Sequence, residues 1–263
     1  MKISYEWLKE YVDAELLPQE LAEKLTMLGF EASSEGEVGK HHVIDVEVTS
    51  NRPDCLCVVG LAREVSALTG KQFRFPEVAL NENAGDVKGF MSVEVISELC
   101  CRYCGRVITD VKVGPSQGFL REKLEAIGIR SVNNVVDITN YVLMEMGHPM
   151  HAFDLELLEG GKIVVRCAEK GEKIISLDGI ERNLEPWMLV IADEKKPVAI
   201  AGIMGGLQSE VTERTKTVLL ESAYFDPVIV RKTSKRLQLE TESSYRFQRK
   251  ADIEATIPAI DRV

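Results

Sequence analysis

No apolar run in this 263-residue chain reaches the length of a transmembrane helix. The opening stretch, "MKISYEWLKEYVD", carries charges where a secretory leader needs an unbroken apolar segment. Both absences lead us to expect a soluble, cytoplasmic protein with no membrane partner. Positive charge is also short: 32 Lys and Arg stand against 42 Asp and Glu, a formal net charge of −10. That balance argues against non-specific wrapping of nucleic acid, which needs many cations to neutralise phosphates. It leaves room for a local basic face. "RKTSKR" at 231–236 and "RFQRK" at 246–250 gather cations near the C-terminal end, where the plainer reading is a solvated helix surface.

Several chemistries lack their residues. The six cysteines include a Cys-x-x-Cys step in "CCRYC", but no second pair or nearby His completes a zinc site. That stretch reads as strand, so the thiols are expected to be small buried or half-buried groups in a reducing compartment. "AIAGIMGG" at 199–206 has neither the Lys-Ser/Thr of a phosphate-binding loop nor dinucleotide glycine spacing. No Ser-His-Asp set, catalytic Cys-His pair or metal-ligand spacing can be assembled. Aromatic residues make up only 6% of the chain.

What remains is rich in Val, Ile and Leu, with 45% hydrophobic residues, enough for one large domain or two unequal ones. "SYEWLKEYV" puts Trp7, Leu8 and Val12 on one helical face. "LPQELAEKLTMLGFE" places Pro18 near a helix start and Gly29 past its end. "HVIDVEVTSN" alternates like a half-buried strand. In "RPDCLCVVGLAREVSALTG", Asp54 is the expected N-cap and Gly70 the stop. We therefore expect a small helix-rich N-terminal domain over 1–75 and a linker over 76–89. A larger domain over 90–263 follows, where the character changes. There "MSVEVI", "YCGRVITDVKV" and "KTVLLESAYFD" read as strands. "PSQGFLREKLEAIG" reads as a helix with Ser116 as cap and Gly128 as stop. "GEKIISLDGIERNL" is a hairpin turning at Asp178-Gly179, and "LVIADEKKPVAIAGIMGG" is another, turning at 194–197. The expected class is α+β, the second domain being a layered, β-sandwich-like body with flanking helices.

Four features of this second stretch invite chemistry. Glu221 sits in "TVLLESAYF", an apolar run normal for a strand covered on both faces, where a carboxylate is expensive to desolvate unless paired. It either faces solvent on an edge, pairs with an Arg, or serves a site. His151 follows Gly147 and Pro149, which end the helix over "NVVDITNYVLMEM". It is expected on an irregular segment, satisfied by a carbonyl or holding a water or ribose hydroxyl. Ala201 and Gly202 are small enough to admit a backbone or an aromatic ring. Thr139 and Asn140 lie in an apolar helix and must find partners, either in a neighbouring loop or in the polar cavity that His151 would share.

Together these stretches resemble one family. "MKISYEWLKEYVD", "EVTSNRPDCL", "LAREVSALTG", "NNVVDITNYVLMEMGHPMHAFD", "VVRCAEKGEKIISLDG", "AIAGIMGG", "LLESAYFDP" and "TESSYRFQR" follow, in order, the N-terminal half of the bacterial phenylalanyl-tRNA synthetase beta subunit. The resemblance implies that the second domain edits, hydrolysing the ester of tyrosine misattached to tRNA(Phe). Its partners would be the tRNA(Phe) acceptor end, the tyrosine moiety and the alpha subunit of the full synthetase. Carried over by motif, Glu221, Ala201 and Gly202 would bind the substrate. Thr139, Asn140 and His151 would hold the terminal adenosine and a water. No cofactor or metal is implied for editing; ATP and Mg²⁺ would act elsewhere in the full enzyme. An isolated, non-catalytic tRNA-binding or scaffolding homologue is the alternative. The sequence departs from the family in three places. "GEVGKHHVIDVEV" runs straight through 38–43, where bacterial members usually insert an oligonucleotide-binding barrel. The chain ends at Val263, which suggests a fragment. "RFQRK" replaces "RFERG", with Gln248 for Glu and Lys250 for Gly.

Overall fold

A computed structural model describes residues 1–75, 78–82 and 85–263 of the chain. The linker expected over 76–89 falls partly on Pro76, Glu77, Asn83 and Ala84, which lie outside the described residues. The protein divides into two compact units. The first joins residues 1–79 to 115–147, and the second joins 80–114 to 148–263. Residues 115–147, expected in the second domain, thus pack within the first.

The first unit begins with β1 (Lys2–Ser4) and α1 (Tyr5–Lys9). Ser4 accepts the Trp7 N–H and so caps α1, while Trp7 and Leu8 are fully buried. α2 (Pro18–Met27) starts on its proline, and Glu20 accepts the Leu17 N–H, closing the first turn. β2 (Glu31–Val38) and β3 (His41–Glu47) form a hairpin that turns over Gly39 and Lys40. The sheet runs β1-β3-β2, antiparallel throughout. β2 escaped the sequence reading because "EASSEGEV" is polar and mostly exposed. Its ladder to β3, not an apolar face, makes it a strand.

α3 (Val58–Thr69) is capped by Cys57, whose sulfur accepts the Gly60 N–H at 3.3 Å, and not by Asp54. Asp54 lies in a 3₁₀ turn over Pro53–Cys55, and its carboxylate goes to Arg52 instead. Arg52 also binds Glu64, so Asp54, Cys55 and Glu64, the one metal-like cluster among the described residues, gather round a guanidinium. α4 (Gly118–Ala126) and α5 (Asn134–Met146) complete the unit. Ser116 was expected to cap α4. Its hydroxyl instead donates to the fully buried Asp137, which also accepts from Ser131 and the Val132 N–H. Asn133 caps α5 by accepting from both Val135 and Val136. The reason this segment joins the first unit is visible in its contacts. Tyr141 stacks on Trp7 with centroids 4.6 Å apart, and the Tyr11 hydroxyl donates to buried Glu145.

The second unit holds β4 (Ser92–Val95), β5 (Cys100–Ile108), β6 (Met150–Asp154) and β7 (Lys162–Cys167). β8 (Lys173–Ile175) and β9 (Glu181–Asn183) are the expected hairpin about Asp178-Gly179. β10 (Leu189–Ala192), β11 (Pro197–Ile200), β12 (Met204–Gly205) and β13 (Val218–Phe225) follow. The β10–β11 turn closes because Asp193 accepts the N–H groups of Lys195 and Lys196, each at 2.8 Å. Three helices end the unit: α6 (Pro227–Leu237), α7 (Glu242–Phe247) and α8 (Thr256–Arg262). One sheet has the order β12-β11-β10-β7-β4, with only β4–β7 parallel; another is β5-β13-β6, antiparallel. One apolar cluster draws on both sheets, including Ile163, Val190 and Ile200 from the first and Phe153, Leu219 and Phe225 from the second. The class is therefore mixed α and β, with several sheets. All six cysteines are free thiols, and Cys101, unlike the buried or half-buried rest, is exposed. No described helix is long and apolar enough to cross a membrane.

Gly60 is set by close approach. A Cβ there would lie 1.8 Å from the Asp54 carbonyl oxygen and 2.8 Å from its carbon, and backbone cannot swing aside. Gly60→Ala should cost about 3 kcal/mol or more of unfolding free energy, at the upper end for overpacking, as read by urea denaturation.

Candidate functional site

β13 is the middle strand of its sheet, so both its edges are paired and its apolar run is covered. That settles the first question about Glu221, which is neither on an edge nor paired with an Arg. It is 5% exposed, and the Tyr103 hydroxyl donates to Oε2 at 3.1 Å. No other described group hydrogen-bonds its carboxyl. The β6–β13 register sets His151 directly opposite Glu221, and the β5–β13 register sets Gly105 opposite it on the other side. Cross-strand partners share a face. The acid therefore has an imidazole on one flank, and from the strand on the other flank Tyr103, two residues before Gly105, reaches its carboxyl.

His151 was expected on an irregular segment. The structure corrects this: it is the second residue of β6, because pairing with β13 resumes immediately after Pro149. The ring lies edge-on to Phe153 with centroids 4.5 Å apart, and its buried Nε2 has no hydrogen-bond partner among the described residues. Glycine makes room for it. A Cβ on Gly205 would lie 2.3 and 2.4 Å from ring atoms of His151.

Burial sets the protonation of both groups. It pushes the Glu221 carboxyl up to about 8, opposed only in part by the Tyr103 hydrogen bond. It pushes the His151 imidazole down to about 4. At neutral pH the pair is thus a protonated acid beside a neutral imidazole, two polar groups without net charge.

Between them opens a hollow of about 50 Å³ lined from Pro149–His151, Ile191, Ala199–Ile200, Gly202–Gly205, Glu221, Ser243 and Phe247. That volume holds on the order of three or four waters. All of the lining comes from the second unit. Of the six residues singled out in the sequence, Glu221, His151 and Gly202 meet here. Ala201 does not line the hollow; it is buried in the apolar cluster, with its N–H bound to the Leu189 carbonyl. Thr139 and Asn140 belong to the first unit. The Thr139 hydroxyl donates to the Val136 carbonyl of its own helix at 2.8 Å, a local bond that satisfies it.

Gly202 adopts φ +69, and a Cβ there would sit 3.0–3.1 Å from Phe247, Phe225 and Val230. Conformation and space both demand glycine. The Thr241 hydroxyl donates to the Ile203 carbonyl and braces this turn. Sequence reasoning missed Tyr103, Gly205, Ser243 and Phe247. Tyr103 lies in "CCRYC", a stretch whose obvious chemistry is that of its thiols. The others lie within "AIAGIMGG" and "TESSYRFQR", motifs that were noticed without these residues being given a part.

Residues 99–263 match the family model described as the B3/4 domain. Over most of its length the chain is similar to phenylalanine-tRNA ligase beta subunits. It is 50% identical over 224 residues to that of Moorella thermoacetica, covering 85% of this chain and 28% of the relative. It is 52% identical over 221 residues to that of Anaeromyxobacter dehalogenans, covering 84% and 28%. The Rhodopirellula baltica protein is 45% identical over 253 residues, covering 96% and 37%. The chain thus spans between about 28% and 37% of the length of these curated relatives. A solved structure, an N-terminal fragment of the phenylalanyl-tRNA synthetase beta subunit from Pyrococcus horikoshii, aligns with 90% of this chain and 73% of that one. The identity is 14% and the TM-score 0.47.

Two predictions arise from the geometry. The folded state keeps a proton on Glu221 up to about pH 8, whereas the unfolded chain loses it near 4.5. Between those values the unfolded state binds fewer protons, so this group's contribution to stability falls as pH rises. The stability difference between the native chain and Glu221→Gln should therefore decline across pH 4.5–8, by at most about 1.4 kcal/mol per pH unit, and flatten above. His151 works oppositely, giving stability that is lost as pH falls from 6.5 towards 4, and it cancels in that comparison. Separately, Gly205→Ala should displace the His151 ring, visible as shifted imidazole resonances, at a stability cost of about 1–3 kcal/mol.

Proposed function

The chain belongs to the B3/4 domain family, and from that premise we propose that its second unit hydrolyses the ester of tyrosine misattached to tRNA(Phe). The observation that carries the reading is the buried Glu221 carboxyl, already engaged by a phenol. Tyr103 donates to Oε2, and the same acid also lines the hollow. A carboxyl that accepts one phenol beside a cavity is chemically suited to recognise a second. Tyrosine and phenylalanine differ by that hydroxyl alone, and a primary pocket rejects an added hydroxyl poorly, so a second site must remove the errors. Phenylalanine in the hollow would leave the acid's remaining hydrogen-bonding capacity unmet in a dry environment.

The chemistry asked of the site is modest. Water adds to the ester carbonyl, and the bond from the acyl carbon to the ribose oxygen breaks. Free tyrosine and a ribose hydroxyl result. His151, held low by burial, stays neutral at pH 7 and is a weak base. Its part is to orient water or a ribose hydroxyl by hydrogen bonding, with the benefit coming from positioning. Ser243 offers a second hydroxyl at the rim. The hollow is smaller than a tyrosyl group, so Met204 and Phe247 must yield on entry. Thr139 and Asn140 retain a part only through the family resemblance. The alpha subunit and aminoacylation belong to the proposal for the full-length protein, as does cytoplasmic location.

The test is deacylation of tyrosyl- and phenylalanyl-tRNA(Phe). The chain should hydrolyse the tyrosyl ester faster. Glu221→Ala should abolish that preference, with a loss of at least about 100-fold in a site whose favourable limit is about 10⁴–10⁵. Full preference retained in the variant would refute the role of Glu221. Hydrolysis of neither ester, even at high protein concentration, with tyrosine still bound in a soaked crystal, would favour a binding or scaffolding module.

A further inference from the structure

The cations of "RKTSKR" form a strip. α6 buries Ile229, Val230, Thr233 and Ser234, and it exposes Val228, Arg231, Lys232, Lys235 and Arg236. Arg236 pairs with Glu185 at 2.9 Å. Arg231, Lys232 and Lys235 make no ion pair among the described residues. The Lys232 ammonium is held over the Trp187 ring, 3.9 Å from its centroid. The nearby Asp226 carboxylate is occupied in capping Val228 and Ile229.

A merely solvated face has no reason to look like this. Arg231 with Lys235, and Lys232 with Arg236, are like-charged pairs four residues apart, which repel and weaken a helix. The helix dipole rewards Lys235 and Arg236 in the last turn, but it gives nothing to Arg231 or Lys232. In a chain of net charge −10, acidic residues are plentiful, yet only Arg236 of the strip is ion-paired among the described residues, and Arg231, Lys232 and Lys235 are left unbalanced. Protein-binding faces carry apolar anchors, and this one exposes only Val228. The buried face of the same helix backs the hollow, since Val230 lies 3.1 Å from where a Gly202 Cβ would sit. The strip is therefore about one helix diameter, ~10 Å, behind the cavity wall.

We propose that the exposed face of α6 is a docking strip for an RNA phosphodiester backbone, with Arg231, Lys232 and Lys235 each neutralising a phosphate. This goes beyond the hydrolytic reading, because it concerns where the body of the RNA is gripped and involves no chemistry at the ester.

The experiment measures the affinity of the full chain for fluorescently labelled, deacylated tRNA(Phe) by anisotropy, between 50 and 200 mM KCl. Using uncharged tRNA keeps the result separate from any failure of ester hydrolysis. Replacing Arg231, Lys232 and Lys235 together by Gln should lower the slope of log affinity against log salt by about 2–3. The native chain should accordingly lose about 16- to 64-fold more affinity than the variant over that salt range. Lys173→Gln with Lys195→Gln, which removes two ion-paired lysines of the same unit, should leave the slope unchanged. Arg231→Lys should retain it. An unaltered slope in a normally melting triple variant overturns the proposal. So does an equal fall in the Lys173/Lys195 control, or competition by polyglutamate as effective as that by RNA of equal charge.

Discussion

The antiparallel register between β6 and β13 governs the candidate site, because it sets Glu221 and His151 side by side on one face of a three-stranded sheet. A slip of β6 by one residue against β13 would turn His151 to the face opposite Glu221. Nothing in the two side chains enforces the register. It is held by the apolar residues around them, with Leu219 against Phe153 and Leu220 against Ala152 in the same ladder, all buried. The polar pair is thus carried by the packing of its neighbours.

Burial then decides what the pair can be. A charged carboxylate in that position would need a cation, and none is offered. The acid takes a proton and the imidazole gives one up, leaving two neutral groups with directed hydrogen-bonding capacity. Tyr103 uses part of that capacity. The glycines use space in a different way: Gly205 makes room for the His151 ring, and Gly202 turns the chain where three side chains crowd in. Gly202 and Gly205 both line the hollow.

The first unit shows the same logic applied to stability. Its buried acids are each answered by hydroxyls: Asp137 by Ser116 and Ser131 of its own segment, and Glu145 by Tyr11, which ties that segment to the start of the chain. Burial and the neighbouring Glu145 hold the Tyr11 phenol far above its usual range, which keeps it a donor at any physiological pH.

Local signals determined a great deal from the sequence alone. Pro18, Gly70 and Gly147 bound their helices, Asp178-Gly179 turned a hairpin, and the apolar run around Glu221 made a buried strand. These features act within a few residues, where backbone sterics and hydrogen bonding suffice. Ordered motifs made the family legible as well. Other outcomes rested on partners far along the chain and were hidden. Cys57 rather than Asp54 caps α3 because Arg52 claims the acid. His151 is in a strand because β13 lies alongside. Residues 115–147 joined the first unit through Trp7 and Tyr11, and Ala201 turned into the core while Gly205, Ser243 and Phe247 took the cavity wall. Whether a side chain becomes a site depends on what long-range packing brings opposite it, and that is fixed only when the sheets close.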